Sequence, residues 1–177
     1  MVSRLEVVDM REKVEEQKDE RFIGKDIKSV YEEVRKFHKK YPMSIMWRVK
    51  RHCKILERHL NYDEKLLYVF AAQKNNNPLD VFSTYVIALT NKRLVLGRKR
   101  LVFGYFFDSI TPEMFNDLNV MANLLWGKIH IDTINEYVTL SNIDKKALPE
   151  IETMITSYMI REKRRLGLAG KPKGSSD

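Results

Sequence analysis

Apolar positions recur with two periods along this chain, and the changes between them divide it. Up to residue 60 the spacing is helical. From Lys65 to Leu140 it is that of short strands, and after Pro149 it is helical again. The sharpest signal is Tyr85-Val86-Ile87-Ala88-Leu89-Thr90-Asn91-Lys92-Arg93-Leu94-Val95-Leu96. Two β-rich runs meet across Asn91-Lys92, and asparagine accepts the positive φ of a two-residue hairpin turn. Pairing Thr90 with Arg93 sets Leu89 opposite Leu94 and Ile87 opposite Leu96, which lines one surface with large apolar side chains.

Three helices are predicted before this hairpin. Ser3 to Arg21 has apolar Leu5, Val8 and Val14 but turns acidic over residues 15–20, so it reads as a helix too thin in apolar surface to stand alone. Gly24 breaks it and Asp26 caps the next, where Ile27, Val30, Tyr31, Val34, Phe37 and His38 recur at three-and-four spacing until Pro42. The third helix, capped by Ser44, carries Ile45, Val49, Cys53, Leu56 and Leu60 on one stripe. Its other face carries Arg48, Lys50, Arg51, Lys54 and Arg58, opposed only by Glu57. The short Tyr41-Pro42-Met43 connection predicts an antiparallel helical hairpin that is basic on its outside.

The strands follow in order. Leu66 to Ala72 is the first, bounded by the polar loop Asn75-Asn76-Asn77-Pro78. After the hairpin, Arg98-Lys99-Arg100 forms the turn into a fourth strand from Leu101 to Phe107. Ser109 to Pro112 interrupts the sheet before a fifth strand from Phe115 to Leu124. A turn at Trp126-Gly127-Lys128 leads to a sixth from Ile129 to Thr133, and a seventh runs from Tyr137 to Leu140. Proline suits the first position of a closing helix, with Leu148, Ile151, Ile155, Tyr158 and Met159 as its stripe. Residues 169–177 have no periodicity and read as a flexible tail.

The motifs Leu89-Thr90-Asn91-Lys92-Arg93-Leu94, Ile110-Thr111-Pro112 and Leu125-Trp126-Gly127-Lys128-Ile129, in that strand order, resemble the YokE-like group of bacterial pleckstrin-homology-like domains. The resemblance covers about residues 60–165. It implies an α+β fold: a seven-stranded antiparallel barrel or sandwich capped by the C-terminal helix. Residues 1–60 form an N-terminal helical segment ahead of a PH-like domain over residues 61–168. It also implies a fold used for docking proteins or lipids. Phosphoinositide-binding relatives carry paired basic residues across the first hairpin. Here that loop has Lys74 alone, and residues 80–90 contain no basic residue, so no specific phosphoinositide site is expected.

Charge sharpens this. The net charge is +8, yet residues 61–141 hold as many acidic as basic residues, so the excess lies on the helical parts. Residues 1–20 carry net −3, which could screen the basic third helix in the same chain or in a second copy. Only Cys53 is present, excluding an intrachain disulfide and fitting a reducing compartment. With no signal-like or membrane-spanning apolar run, a cytoplasmic protein is expected.

Catalytic chemistry finds little support. The seven glycines are scattered and none builds a phosphate loop. Cys53 falls on the apolar stripe while His52 and His59 are seven apart, a poor basis for a closed metal site. His130 reads as an outward-facing strand residue. No enzyme activity, catalytic residue, metal or cofactor is expected. The sequence points to a binding or adaptor module that docks a protein partner or another copy of itself through the barrel and helical extension. The alternative is a nucleic-acid or anionic-membrane-surface binder using the third helix. Candidate contact residues are Arg48, Lys50, Arg51, Lys54 and Arg58, with Arg98, Lys99 and Arg100.

Overall fold

The computed structural model describes residues 29–168. The acidic helix expected over residues 3–21, the break at Gly24, the cap at Asp26 and the tail from residue 169 lie outside them. Helices α1 (Val30–Lys40) and α2 (Val49–His59) precede seven strands: β1 (Leu66–Gln73), β2 (Thr84–Thr90), β3 (Leu94–Lys99), β4 (Tyr105–Ile110), β5 (Phe115–Ala122), β6 (Trp126–Thr133) and β7 (Tyr137–Asp144). Helix α3 (Leu148–Arg165) follows, with Pro149 in its first turn. The fold is α+β, as expected. The strands form a curled antiparallel half-barrel in the order β4-β3-β2-β1-β7-β6-β5. At its corner β1 meets β7 through the pair Gln73 and Ser141.

The central hairpin has the expected register, with Leu89 opposite Leu94 and Ile87 opposite Leu96. Its turn is made differently. Among described residues other than glycine, only Arg48 and Asn142 have positive φ, so Asn91 does not supply one. Instead the Thr90 hydroxyl accepts hydrogen bonds from the N–H groups of Lys92 and Arg93, both at 3.1 Å. Asn91 is fixed from outside the hairpin, its side-chain oxygen accepting from the Lys65 N–H at 2.7 Å. Side-chain capping replaces a left-handed backbone here.

Two further expectations are corrected. The fourth strand starts at Tyr105 rather than Leu101, because Lys99 pairs with Tyr105 and the Arg100 N–H donates to the Gly104 carbonyl at 3.1 Å. Gly104, at φ 79°, turns the chain, and Leu101, Val102 and Phe103 become the tip of the hairpin. The basic helix starts at Val49 rather than beside Ser44. The Ser44 hydroxyl accepts from the Asp144 N–H at 3.0 Å, and the Ile45 N–H donates to Asn142 O at 3.4 Å. This backbone is tied to β7, so the helix begins only after Arg48, which is left-handed at φ 51°. Smaller differences lie at strand ends: the β5–β6 turn falls at Asn123, whose N–H donates to Trp126 O at 2.9 Å, and β7 continues to Asp144.

Apolar side chains are buried on both faces of the first strands. Inside the curl, Phe70, Ile87, Leu89, Leu94 and Leu96 meet Phe115, Ile129, Ile131 and Leu140 from the other half. Ile151, Ile155 and Met159 of α3 close this core, the stripe expected from the sequence. On the outer face, Val69, Ala71, Val86, Ala88 and Val95 are covered by Val30 and Val34 of α1 and by Val49, Cys53 and Leu56 of α2. Every residue of β2 is therefore buried. A strand covered on both faces needs a continuous apolar run rather than alternation, which is what residues 85–89 provide.

Candidate binding surface

Because α2 lies across the outer face of β2 and β3, its first turn arrives at the end of the sheet where the β3–β4 hairpin projects. The link between them is His52. This residue is fully buried, and its Nδ1 accepts the Lys99 backbone N–H at 2.9 Å, which leaves the proton on Nε2. Burial first, and then the nearby charges of Arg48 and Arg98, push its pKa down to about 4. The imidazole is thus a neutral peg that fixes the helix to the hairpin.

Around this peg the chain forms a groove of about 390 Å³. Trp47 and Arg48 line it from the approach to α2, Phe82 from the 3-10 turn Val81–Ser83, and residues 98–103 from the hairpin. Trp47 and Phe82 meet edge to face with ring centroids 5.3 Å apart, and the Arg48 guanidinium lies 5.2 Å from the Trp47 ring. Arg98 lies 5.4 Å from the Tyr85 ring and 5.0 Å from that of Phe106, while Arg100 is 5.3 Å from Phe106. Aromatic faces hold these guanidinium groups without neutralising them. Among the described residues no carboxylate lines the groove.

The sequence-predicted cations therefore fall into two sets. The structure brings Arg48 together with Arg98, Lys99 and Arg100. Lys50, Arg51 and Lys54 are exposed on α2 outside the groove, and the Lys50 ammonium lies 5.9 Å from the Tyr31 ring. Arg58, in the last turn of α2, is exposed and interacts with other groups of the protein. Sequence reasoning missed Phe82 and the tip Leu101-Val102-Phe103. Gly104 was the available signal, since a glycine after a short apolar run marks a turn as readily as a strand irregularity.

The other candidates resolve simply. Cys53 is buried under α2, which pushes its thiol pKa up. His59 stacks on Phe107 with centroids 4.4 Å apart. The His130 Nδ1 lies 3.1 Å from the Thr139 hydroxyl. Among the described residues no group of three or more His, Cys, Asp or Glu could hold a metal ion. No described helix is long and apolar enough to cross a membrane.

Comparison with known proteins adds the following. A family model described as a bacterial PH domain matches residues 60–157. The crystal structure of a pleckstrin homology domain from Shewanella amazonensis SB2B is similar at 18% sequence identity, covering 59% of this chain and 92% of that one, with a TM-score of 0.43. No curated protein matches the chain.

Proposed function

The chain belongs to the bacterial PH domain family, and from that premise we propose that it is a non-enzymatic binding module whose contact surface is the groove between α2 and the β3–β4 hairpin. PH-like domains are typically binding modules rather than catalysts. The observation that carries the reading is the meeting of Arg48, Arg98, Lys99 and Arg100 around one groove that, among the described residues, no carboxylate lines. Such a grouping raises the local concentration of anions and favours an anionic ligand surface. Lys50, Arg51 and Lys54 extend the positive field along α2.

Titration of heparin against the full chain and a Lys99→Glu/Arg100→Glu variant, at low and near-physiological salt, tests this. The variant binds more weakly, and the difference shrinks as salt rises because it is Coulombic. Equal affinities at low salt overturn the reading.

A second reading, docking of a protein partner or another copy of this chain, draws on a different observation. Strand β5 ends the sheet order, and Met121, Leu124 and Leu125 are exposed at its hairpin. A solution mass measurement over a range of concentrations tests the self-docking form, and a constant monomer mass excludes it.

A further inference from the structure

The tip of the β3–β4 hairpin is apolar where an ordinary solvated turn is polar. Exposure rises along it, from 57% at Leu101 to 74% at Val102 and 83% at Phe103. Three consecutive exposed apolar residues contribute nothing to the core and invite aggregation, so their presence calls for an apolar partner. Phe103 has no ring partner among the described residues, although Trp47 and Phe82 line the same groove. The turn is held in this form by the hydrogen bond from Arg100 N–H to Gly104 O and by the left-handed Gly104.

Behind this tip stand the cations. Arg98 and Lys99 are half-buried at the end of β3, Arg100 is exposed at the start of the turn, and Arg48 flanks them from the residue before α2. Moving inward from the tip, the order is apolar side chains, then guanidinium and ammonium groups, with aromatic rings among them. That order matches the depth profile of an anionic bilayer surface, where acyl chains lie beneath a layer of phosphates and aromatic rings favour the boundary. We propose that Leu101, Val102 and Phe103 insert into the interfacial region of an anionic lipid bilayer while Arg48, Arg98, Lys99 and Arg100 contact its phosphate groups. This rests on the reading of the groove as an anion-binding surface and names the surface that it binds.

The test is co-sedimentation of the full chain with phosphatidylcholine vesicles, with and without phosphatidylglycerol. Beside it run a Val102→Asp/Phe103→Asp variant and the Lys99→Glu/Arg100→Glu variant. All four substitutions lie outside the buried core, and equal melting temperatures check that folding is kept. The native chain partitions onto the phosphatidylglycerol vesicles. The tip variant loses about tenfold or more of that partition, the cost of placing charge in the interface, yet keeps its heparin affinity. The charge variant loses both. In a Phe103→Trp variant, an emission shift to shorter wavelength appears on adding the anionic vesicles, beyond any shift of the native tryptophans.

Equal vesicle partition by the native chain and the tip variant overturns insertion but leaves the anion-binding reading standing. Heparin or polyglutamate retention without vesicle partition does the same, with polyglutamate retention by the native chain pointing to an acidic protein surface. Absence of native binding to vesicles and to heparin overturns both.

Discussion

A methyl group added to Gly97 would lie 2.1 Å from Cδ1 of Leu56, because α2 packs directly on β3 at this point. Leu56 is fully buried and has little room to move. Gly97→Ala should therefore destabilise the chain by about 1–3 kcal/mol, the usual cost of overpacking. In a Leu56→Ala background the same change should cost less, since the obstructing side chain is gone. Chemical denaturation of the four chains measures both, and purely additive effects would count against the contact.

The segment before β1 is anchored by an ion pair. Glu64 is buried and accepts from Arg93 Nε at 2.8 Å and Nη2 at 2.9 Å, from the Thr90 hydroxyl at 3.0 Å and from the Asn61 N–H at 2.7 Å. Arg93 also donates to the His59 carbonyl at 3.0 Å, so one guanidinium joins the end of α2 to the central hairpin. Removing it strands a buried carboxylate, and Arg93→Met should cost about 3–5 kcal/mol. Burial opposes ionisation of Glu64, yet the bonds from Arg93, Asn61 and Thr90 hold its pKa below the usual carboxylate range. Its contribution to stability is thus present above the unfolded-state carboxylate pKa and lost as pH falls through the lower folded value. The acid limb of the stability curve should be shallower in Glu64→Gln.

The hairpin register and the α3 stripe were legible in the sequence because each follows from a single local pattern. Leu89 and Leu94 had to share a face once Thr90 met Arg93, and Ile151 and Ile155 are one helical turn apart. What lies outside the sheet was less legible. The helical stripe of Val49, Cys53 and Leu56 announces a buried face without saying what buries it, and the hairpin register assigns one apolar surface to Ile87, Leu89, Leu94 and Leu96 without assigning a cover to Val86, Ala88 and Val95. Only the fold shows that these two surfaces cover each other. The hairpin tip was misplaced for a similar reason: Leu101-Val102-Phe103 has strand composition, while the pairing of Lys99 with Tyr105 is a tertiary fact that overrides it. The convergence of Arg48 with residues 98–100 depends on that same packing, so neither group alone identified the groove.

His52 should make stability acid-sensitive. Its folded pKa, about 4, lies below its unfolded value of 6.5, so the unfolded chain binds a proton first as pH falls. Stability from this residue is complete above about pH 6.5 and declines towards pH 4, by about 3 kcal/mol across the interval. His52→Asn offers an oxygen to the Lys99 N–H and should flatten this part of the curve, though with some loss of packing at all pH values. Titration of the His52 ring by NMR checks the premise, and a midpoint near 6.5 would remove it.

Ile155 has no solvent exposure and sits where α3 closes the core. Ile155→Asp places an unpaired charge there and should cost several kcal/mol. An unchanged melting temperature would show that α3 does not pack as described.

Soluble inositol phosphates should bind no more tightly than simple polyanions of equal charge. A stereospecific headgroup site needs several cations fixed in a pocket, and the loop between β1 and β2 offers only Lys74. Lys74 is already engaged, its ammonium 2.7 Å from Asp108 and 3.6 Å from Glu136. Burial disfavours the charge of Lys74, but these carboxylates outweigh that and raise its pKa, so the cation is balanced within the protein and is not offered to a ligand. The groove cations, Arg48 and Arg98 to Arg100, surround an open groove beside an apolar tip, an arrangement suited to a charged surface more than to one enclosed headgroup. Calorimetry with stereoisomeric inositol phosphates and with inorganic polyphosphate as the charge control decides the point. A saturable site that distinguishes the stereoisomers at micromolar concentration would overturn the prediction, and its loss on Lys74→Ala would locate the site in the first hairpin.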